Sequence, residues 1–257
     1  MRTTAIFSYK GGTGKTTTAI NLGAELAARG KRVLLIDADG QRNTTAFFAV
    51  DAEFCGTVYD LLTAPDSYYE NYIRETIVPN LSVLPSSEAL ATIELQASLG
   101  NRSYLYTHAL QDLCEALAGD DAADFVLIDC PPSFAPQTLA ALLAADDVVV
   151  PLTLDDFAVS GLRDVNTSVN GAREANPRLR IAGVLVTMFD HSAVSRDADA
   201  ALRASGFPVY GQTIRASKLP SRMSFERRPL RGFAGWSPIA RDYAKFCEEY
   251  LGGDGNG

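Results

Sequence analysis

An α/β fold, with a doubly wound and mostly parallel sheet flanked by helices, is predicted by three observations. Val33–Ile36 and Phe125–Ile128 are continuous apolar runs of strand length, the pattern of strands buried on both faces. Between such runs the apolar residues recur at helical spacing, as in Ala19, Leu22, Leu26 and Ala27. The first strand, helix and second strand follow at the length of a right-handed βαβ unit. With 257 residues, 47% hydrophobic and 21% charged, the chain can bury a full core. A single domain over residues 1–251 is expected, followed by a flexible polar tail over 252–257.

Thr4–Phe7 reads as the first strand. A helix is expected from about Lys15 to Arg29, stopped by Gly30. Between them lies Lys10-Gly11-Gly12-Thr13-Gly14-Lys15-Thr16-Thr17. A strand, a glycine-rich turn and a helix N-terminus make a phosphate cradle. The glycines let backbone N–H groups converge on an anion, and the helix end adds partial positive charge. Lys15 is placed to reach β- and γ-phosphates, and the Thr16 hydroxyl to ligate Mg²⁺. The usual P-loop pattern wants glycine five residues before Gly14; Tyr9 stands there, and a second lysine, Lys10, precedes the Gly-Gly pair.

That string is the deviant Walker A motif, and with it the chain resembles the ParA/MinD family of P-loop ATPases, the short Soj-like ParA proteins in particular. The resemblance implies ATP and Mg²⁺ as cofactors. It also implies a homodimer in which Lys10 reaches the partner's nucleotide.

The second strand ends in Asp37-Ala38-Asp39-Gly40-Gln41-Arg42-Asn43. Carboxylates at a strand's C-terminal end sit where open α/β sheets place ligands. The stretch is similar to the family's first switch, which implies that Asp39 positions the attacking water and Asp37 supports the magnesium shell. Gly40 replaces the family's usual proline and Arg42 its usual glycine. Phe125–Ile128 ends in Asp129, a Walker B carboxylate for the Mg²⁺ shell, and Cys130-Pro131-Pro132-Ser133 resembles the second switch.

The remaining elements follow by pattern. Thr57–Leu62 reads as a helix ended by Pro65, and Tyr68, Tyr69 and Tyr72 as an aromatic cluster packed on the sheet. Asn80–Pro85 alternates like a strand. Residues 88–118 carry helical spacing with a break at Asn101–Ser103. Thr138–Ala145 reads as a helix and Asp147–Leu152 as a core strand, and Leu154–Leu162 resembles the segment that opens the next helix in the family. Ile181–Thr187 and Pro208–Ile214 are expected strands, and Asp242–Leu251 a closing helix. By resemblance, Met188 and Asp190 are candidates for contact with the adenine ring.

Composition excludes several classes. Asp146 and Asp147 interrupt the longest apolar run, so no segment reaches transmembrane length. Met1 and Arg2 lead almost directly into a strand, which fits no signal peptide. Four cysteines without metal spacing fit reduced thiols in the cytoplasm. A net charge of −8 argues against nucleic-acid binding by the whole surface. Against that background Arg215, Lys218, Arg222, Arg227, Arg228 and Arg231 form a local reversal, opposed by Glu226 alone. Taken alone, such a run is more often a set of surface ion pairs with the chain's many acids; with the family resemblance, and without a base-reading module, it points to sequence-independent DNA contact. The resemblance adds nucleoid association in the ATP state, a cargo to partition or position, and a ParB-like or cargo-adaptor protein that stimulates hydrolysis. With only Met1–Thr3 before the first strand, that partner is expected to dock elsewhere than on an N-terminal extension.

Three rivals make different demands. A MinD-like membrane regulator needs a basic amphipathic C-terminal helix, whereas Phe246–Asp254 is acidic. An electron-transfer ATPase needs cluster-ligating cysteines, and Cys130 stands at the wrong offset. A metabolic ligase needs a substrate pocket that no motif marks.

Overall fold

The parallel strands are short and mostly apolar, and that composition decides where they sit. In this computed structural model, which describes residues 1–50, 56–65, 68–93, 103–155 and 158–252, seven strands form one sheet. β1 (Arg2–Ile6), β2 (Val33–Asp37), β4 (Leu81–Leu84), β5 (Phe125–Asp129), β6 (Asp147–Thr153) and β7 (Arg180–Thr187) run parallel. β3 (Arg74–Glu75), which the sequence pattern does not mark, pairs antiparallel with β4 at one edge. The order is β3-β4-β2-β5-β1-β6-β7. β5 is thus inserted between β1 and β2, and Asp129 pairs in register with Ile6 on one side and Asp37 on the other. This crossover brings three chain segments far apart in sequence to one row.

The helices are α1 (Lys15–Ala28), α2 (Asn43–Phe48), α3 (Val58–Thr63), α4 (Ser103–Gly119), α5 (Pro136–Ala144), α6 (Ala158–Ala172), α7 (Ala193–Arg203), α8 (Leu219–Glu226), α9 (Leu230–Ala234) and α10 (Pro238–Gly252). They cover both sheet faces. Leu34, Ile36, Val126 and Ile128 pack toward α3, α4 and α5, while Val33, Leu35, Phe125 and Leu127 pack toward α1 and α10. Successive strand residues therefore enter opposite cores, which is why these runs show no polar alternation.

α1 ends one residue before the expected Arg29. Gly30 takes a φ of 78°, and the bonds Gly30 N–H to Ala27 O and Lys31 N–H to Leu26 O close a Schellman turn. Thr57 and Asp60 form a reciprocal capping box at the start of α3. Tyr72 is buried as expected, but Tyr68 is exposed. The break expected at 101–103 falls on residues 101 and 102, outside the described residues, and α4 begins at Ser103. Of the expected tail, Gly252 is the last residue of α10, and 253–257 lie outside the described residues.

The expected strand over Pro208–Ile214 does not form. The segment makes only isolated bridges beside β7, Val184 with Val209 and Phe189 with Arg215. Proline at 208 has no N–H to give, and the N–H groups of Gly211 and Gln212 are both taken by the Glu249 carboxylate, at 2.6 and 2.9 Å. The closing helix starts earlier than expected, with Pro238 at its first turn, where a missing N–H is harmless. That helix is sewn to β1. Arg2 Nη1 donates to Tyr250 O at 3.0 Å, the Arg2 guanidinium lies 4.1 Å from the Tyr250 ring centroid, and the Thr4 and Tyr250 hydroxyls share a 2.7 Å bond. Buried Asp147 on β6 completes the clasp by pairing Arg2 and Arg180.

Candidate nucleotide site

The loop between β1 and α1 is shaped by two glycines in the left-handed region, Gly12 at φ 77° and Gly14 at φ 85°. A Cβ at Gly11 or Gly12 would meet no atom within 4 Å, so both glycines face open space. The loop is held from behind. Ser8 and Thr13 share a hydroxyl bond of 2.8 Å, Thr187 Oγ1 on β7 donates to Thr13 O at 2.8 Å, and Tyr9 bonds Ser168 on α6 at 2.7 Å. Tyr9, at the position where a glycine is usual, thus anchors the loop to a flanking helix.

The two lysines differ sharply. Lys15 is 7% exposed and donates to Ser8 O at 3.1 Å and Lys10 O at 3.0 Å, which draws its ammonium across the loop mouth. Burial lowers its pKa, and Asp129, Cys130 and Asp39 work against that fall. The Lys10 side chain is 55% exposed and pairs with Asp155, with Thr153 Oγ1 at 3.5 Å.

The acidic residues also divide by role. Asp129 is buried; its Oδ2 accepts from Thr44 Oγ1 at 2.9 Å, and its Oδ1 has no hydrogen-bond partner. Asp37 is fully buried too. Its Oδ2 accepts from Thr45 N at 2.8 Å and Thr45 Oγ1 at 2.6 Å, and its Oδ1 from Asp39 N at 3.3 Å. Both of its oxygens thus brace the turn that carries Asp39. Burial pushes both pKa values up, and the neighbouring carboxylate charges add to the rise; Thr45 moderates it at Asp37, and Thr16 and Thr44 at Asp129. Asp39 is partly exposed at the rim and accepts from Gln41 N at 2.9 Å.

A divalent cation fits this donor set. It would give Asp129 Oδ1 the partner it lacks and offset three neighbouring carboxylates. Among the described residues no group of three or more histidine, cysteine or acidic side chains forms a metal cage. Mg²⁺ does not need one, because it is commonly held by one or two carboxylates, a hydroxyl, water and phosphate oxygens. Thr16, on the first turn of α1, would supply the hydroxyl.

Two other expected contacts are placed less simply. Met188 is 53% exposed at φ 53°, directly after Thr187, which ties β7 to the loop. Asp190 is engaged locally. Its Oδ1 accepts from Ser195 Oγ at 2.5 Å and Ser192 N at 2.9 Å, which holds its pKa down to about 2.

The basic residues differ in how they are partnered. Arg215 is bound bidentate to Asp242 at 2.7 and 2.8 Å, Arg222 pairs with Glu226 at 3.2 Å, and Arg231 pairs with buried Glu25 at 3.1 Å. The side chains of Lys218, Arg227 and Arg228 make no ion pair among the described residues, and all three lie at or just beyond the ends of α8.

Sequence reasoning missed Thr44, Thr45 and Ser86. Each places a hydroxyl or N–H on the switch carboxylates or their backbone. No motif marks them, because their role depends on β4 and β5 flanking β2.

A family profile described as an AAA domain matches residues 1–181. The chain is 39% identical over 230 residues to the chromosome partitioning protein ParA of Caulobacter vibrioides, covering 86% of this chain and 84% of that one. It is 37% identical over 260 residues to the chromosome-partitioning ATPase Soj of Thermus thermophilus, covering 98% and 96%. Among solved structures, cobyrinic acid a,c-diamide synthase from Mycobacterium smegmatis with bound ADP and magnesium superposes with a TM-score of 0.80 at 29% identity, covering 98% and 94%. The septum site-determining protein MinD from Pyrococcus horikoshii, complexed with Mg-ADP, shares the fold with a TM-score of 0.80 at 24% identity, covering 99% and 97%. Motif, sheet order and relatives agree: the chain belongs to the ParA/Soj family of P-loop partitioning ATPases.

Proposed function

We propose that this protein is an ATPase that dimerises around two Mg-ATP molecules, holds non-specific DNA in that state, and so partitions or positions a cargo until hydrolysis releases it. The observation that carries the reading is the contrast between the lysines. Lys15 is committed to its own loop, whereas Lys10 is an exposed cation at the mouth of the same loop, held by one carboxylate of its own chain. Such a group can exchange Asp155 for the phosphates of a second protomer's nucleotide.

The division of labour follows from the site. Gly11, Gly12, Thr13, Gly14 and Thr17 present backbone to phosphate oxygens, and Lys15 supplies charge to the β- and γ-phosphates. Mg²⁺ supplies charge neutralisation across those phosphates; Thr16 and Asp129 would hold it. Asp39, at the rim and partly exposed, orients the attacking water, and Asp37 braces its turn. Met188 flanks the base; with its carboxylate engaged by Ser192 and Ser195, Asp190 shapes that loop. For DNA, Lys218, Arg227 and Arg228 are the first contacts, with Arg222 recruited by exchange of a surface ion pair. Arg215 and Arg231 serve mainly to hold α8, α9 and α10 in place. A ParB-like or adaptor protein stimulates turnover.

A second reading, a MinD-like regulator on a membrane surface, draws on Phe225 and Trp236, which are 90% and 78% exposed near these basic residues in sequence. No helix among the described residues is long and apolar enough to cross a membrane. One experiment separates the two: retention on non-specific duplex DNA and on anionic vesicles, each with ATP, ADP and no nucleotide, over a salt series. ATP-dependent DNA retention that weakens steeply with salt supports the first reading; ATP-dependent vesicle retention alone replaces it with the second. Sedimentation with a non-hydrolysable ATP analogue tests Lys10, because Lys10→Ala dimerising as well as wild type removes its role across the interface.

A further inference from the structure

The two departures in the first switch face one neighbouring segment. Gly40 stands where the family's proline is usual, and a Cβ there would come within 3.2 Å of the Ala91 backbone nitrogen. Arg42 stands where glycine is usual, at φ 59°, and its guanidinium pairs with Glu88 at 2.5 Å. Ser86 begins this segment and is fully buried. Its Oγ donates to Asp39 O at 2.8 Å, and its N–H donates to Thr45 Oγ1 at 2.8 Å. The Thr45 hydroxyl donates onward to Asp37 at 2.6 Å. Asp39 O accepts a second bond, from Arg42 N at 2.9 Å, which closes the turn itself. The segment is rigidly seated, since Leu90 and Ile93 are fully buried and Pro85 O accepts from Val58 N.

We infer that Ser86 is a positioning residue for the hydrolytic turn, and that residues 86–91 form the platform on which the Asp39 main chain is set. The inference rests on the reading of Asp39 as the residue that orients the attacking water. A proline at 40 would restrict the backbone of this turn; here glycine leaves it free, and the platform supplies the restraint from outside. Ser86 meets the turn at the Asp39 carbonyl, so the platform does not engage the Asp39 carboxylate, whose Oδ1 accepts from Gln41 N. Thr45 carries the same restraint to Asp37, one strand-end away from Asp129. Misplacing a catalytic group by a fraction of an ångström lowers the rate while leaving ground-state binding intact.

The test is single-turnover hydrolysis at saturating Mg-ATP, with ATP affinity measured in parallel, for wild type, Ser86→Ala, Gly40→Ala and Lys15→Ala. Ser86→Ala is expected to slow the hydrolytic step about tenfold with ATP affinity within about twofold of wild type. Gly40→Ala, which pushes the turn off Ala91, is expected to slow it about fivefold with the same affinity. Wild-type hydrolysis at the Lys15→Ala background would overturn the ATPase reading itself. Wild-type hydrolysis above that background, with Ser86→Ala turning over at the wild-type rate, would overturn this inference alone. So would a loss of ATP affinity as large as the loss of rate, the signature of general damage. Should Ser86→Ala fail to fold, Gly40→Ala decides: an unchanged hydrolytic rate there overturns the platform.

Discussion

The row of strand ends beneath the loop and the basic surface of α8 and α9 carry charge in opposite ways. At the strand ends Asp37 and Asp129 are buried, and each is met by a threonine of α2 that the sheet order delivers. On α8 and α9, helices of eight and five residues, the exposed Arg222 is answered by Glu226 of its own helix and the exposed Arg231 by Glu25 of α1. Buried charge must be satisfied by fixed geometry, so its role can be argued from the fold. Exposed charge exchanges partners at little cost, so its role depends on what else is in solution.

The largest expected effect breaks the buried side of this contrast. Lys15→Ala removes the buried cation of the loop and is expected to lower ATP turnover by about 100-fold or more, read as steady-state phosphate release. Asp39→Ala is expected to lower it by about 100-fold while the ATP dimer persists in sedimentation; turnover at the normal rate would remove Asp39 from the water-orienting role.

Thr45→Val keeps the shape and deletes the hydroxyl. Asp37 loses a donor and Ser86 N loses its acceptor, so a destabilisation of about 2–4 kcal/mol is expected from urea unfolding. A loss below about 0.5 kcal/mol would show that water replaces the hydroxyl. On the exposed side, Arg227→Ala with Arg228→Ala is expected to lower the slope of log affinity against log salt by about 2, with turnover in the absence of DNA unchanged. An unchanged slope would move DNA contact off this surface.

The smallest effect concerns pH. Arg32 holds the Asp124 pKa down to about 2, by side-chain and backbone hydrogen bonds. A folded-state pKa below the unfolded one adds stability at neutral pH that is lost as pH falls through the carboxylate range toward 2. Arg32→Met is therefore expected to flatten the decline in melting temperature between about pH 4 and pH 2.

The same contrast explains what the sequence disclosed. The loop, Asp37–Asp39 and Asp129 were legible because each is a local string at a strand end, and the parallel core followed from unbroken apolar runs. Thr44, Thr45 and Ser86 were not legible, since a lone hydroxyl carries no signal until the strand order is known. The ion pairs of Arg215 and Arg231 were hidden for a similar reason, as Asp242 and Glu25 reach them only through the packing of α10 and α1. Pro208–Ile214 misled because an apolar, β-branched stretch says nothing of the Glu249 carboxylate that takes its N–H groups.

The clasp between Arg2, Thr4 and Tyr250 has a consequence for synthesis. β1 lies between β5 and β6, so the strand that leaves the ribosome early meets its first sheet neighbour only after residue 129 has emerged and has both only after residue 153. Its last partners, the carbonyl, ring and hydroxyl of Tyr250, arrive some hundred residues later still. A nascent chain halted before residue 153 leaves β1 without its full set of sheet neighbours, the kind of surface that chaperones hold, and one halted before residue 250 still lacks the Tyr250 contacts of Arg2 and Thr4.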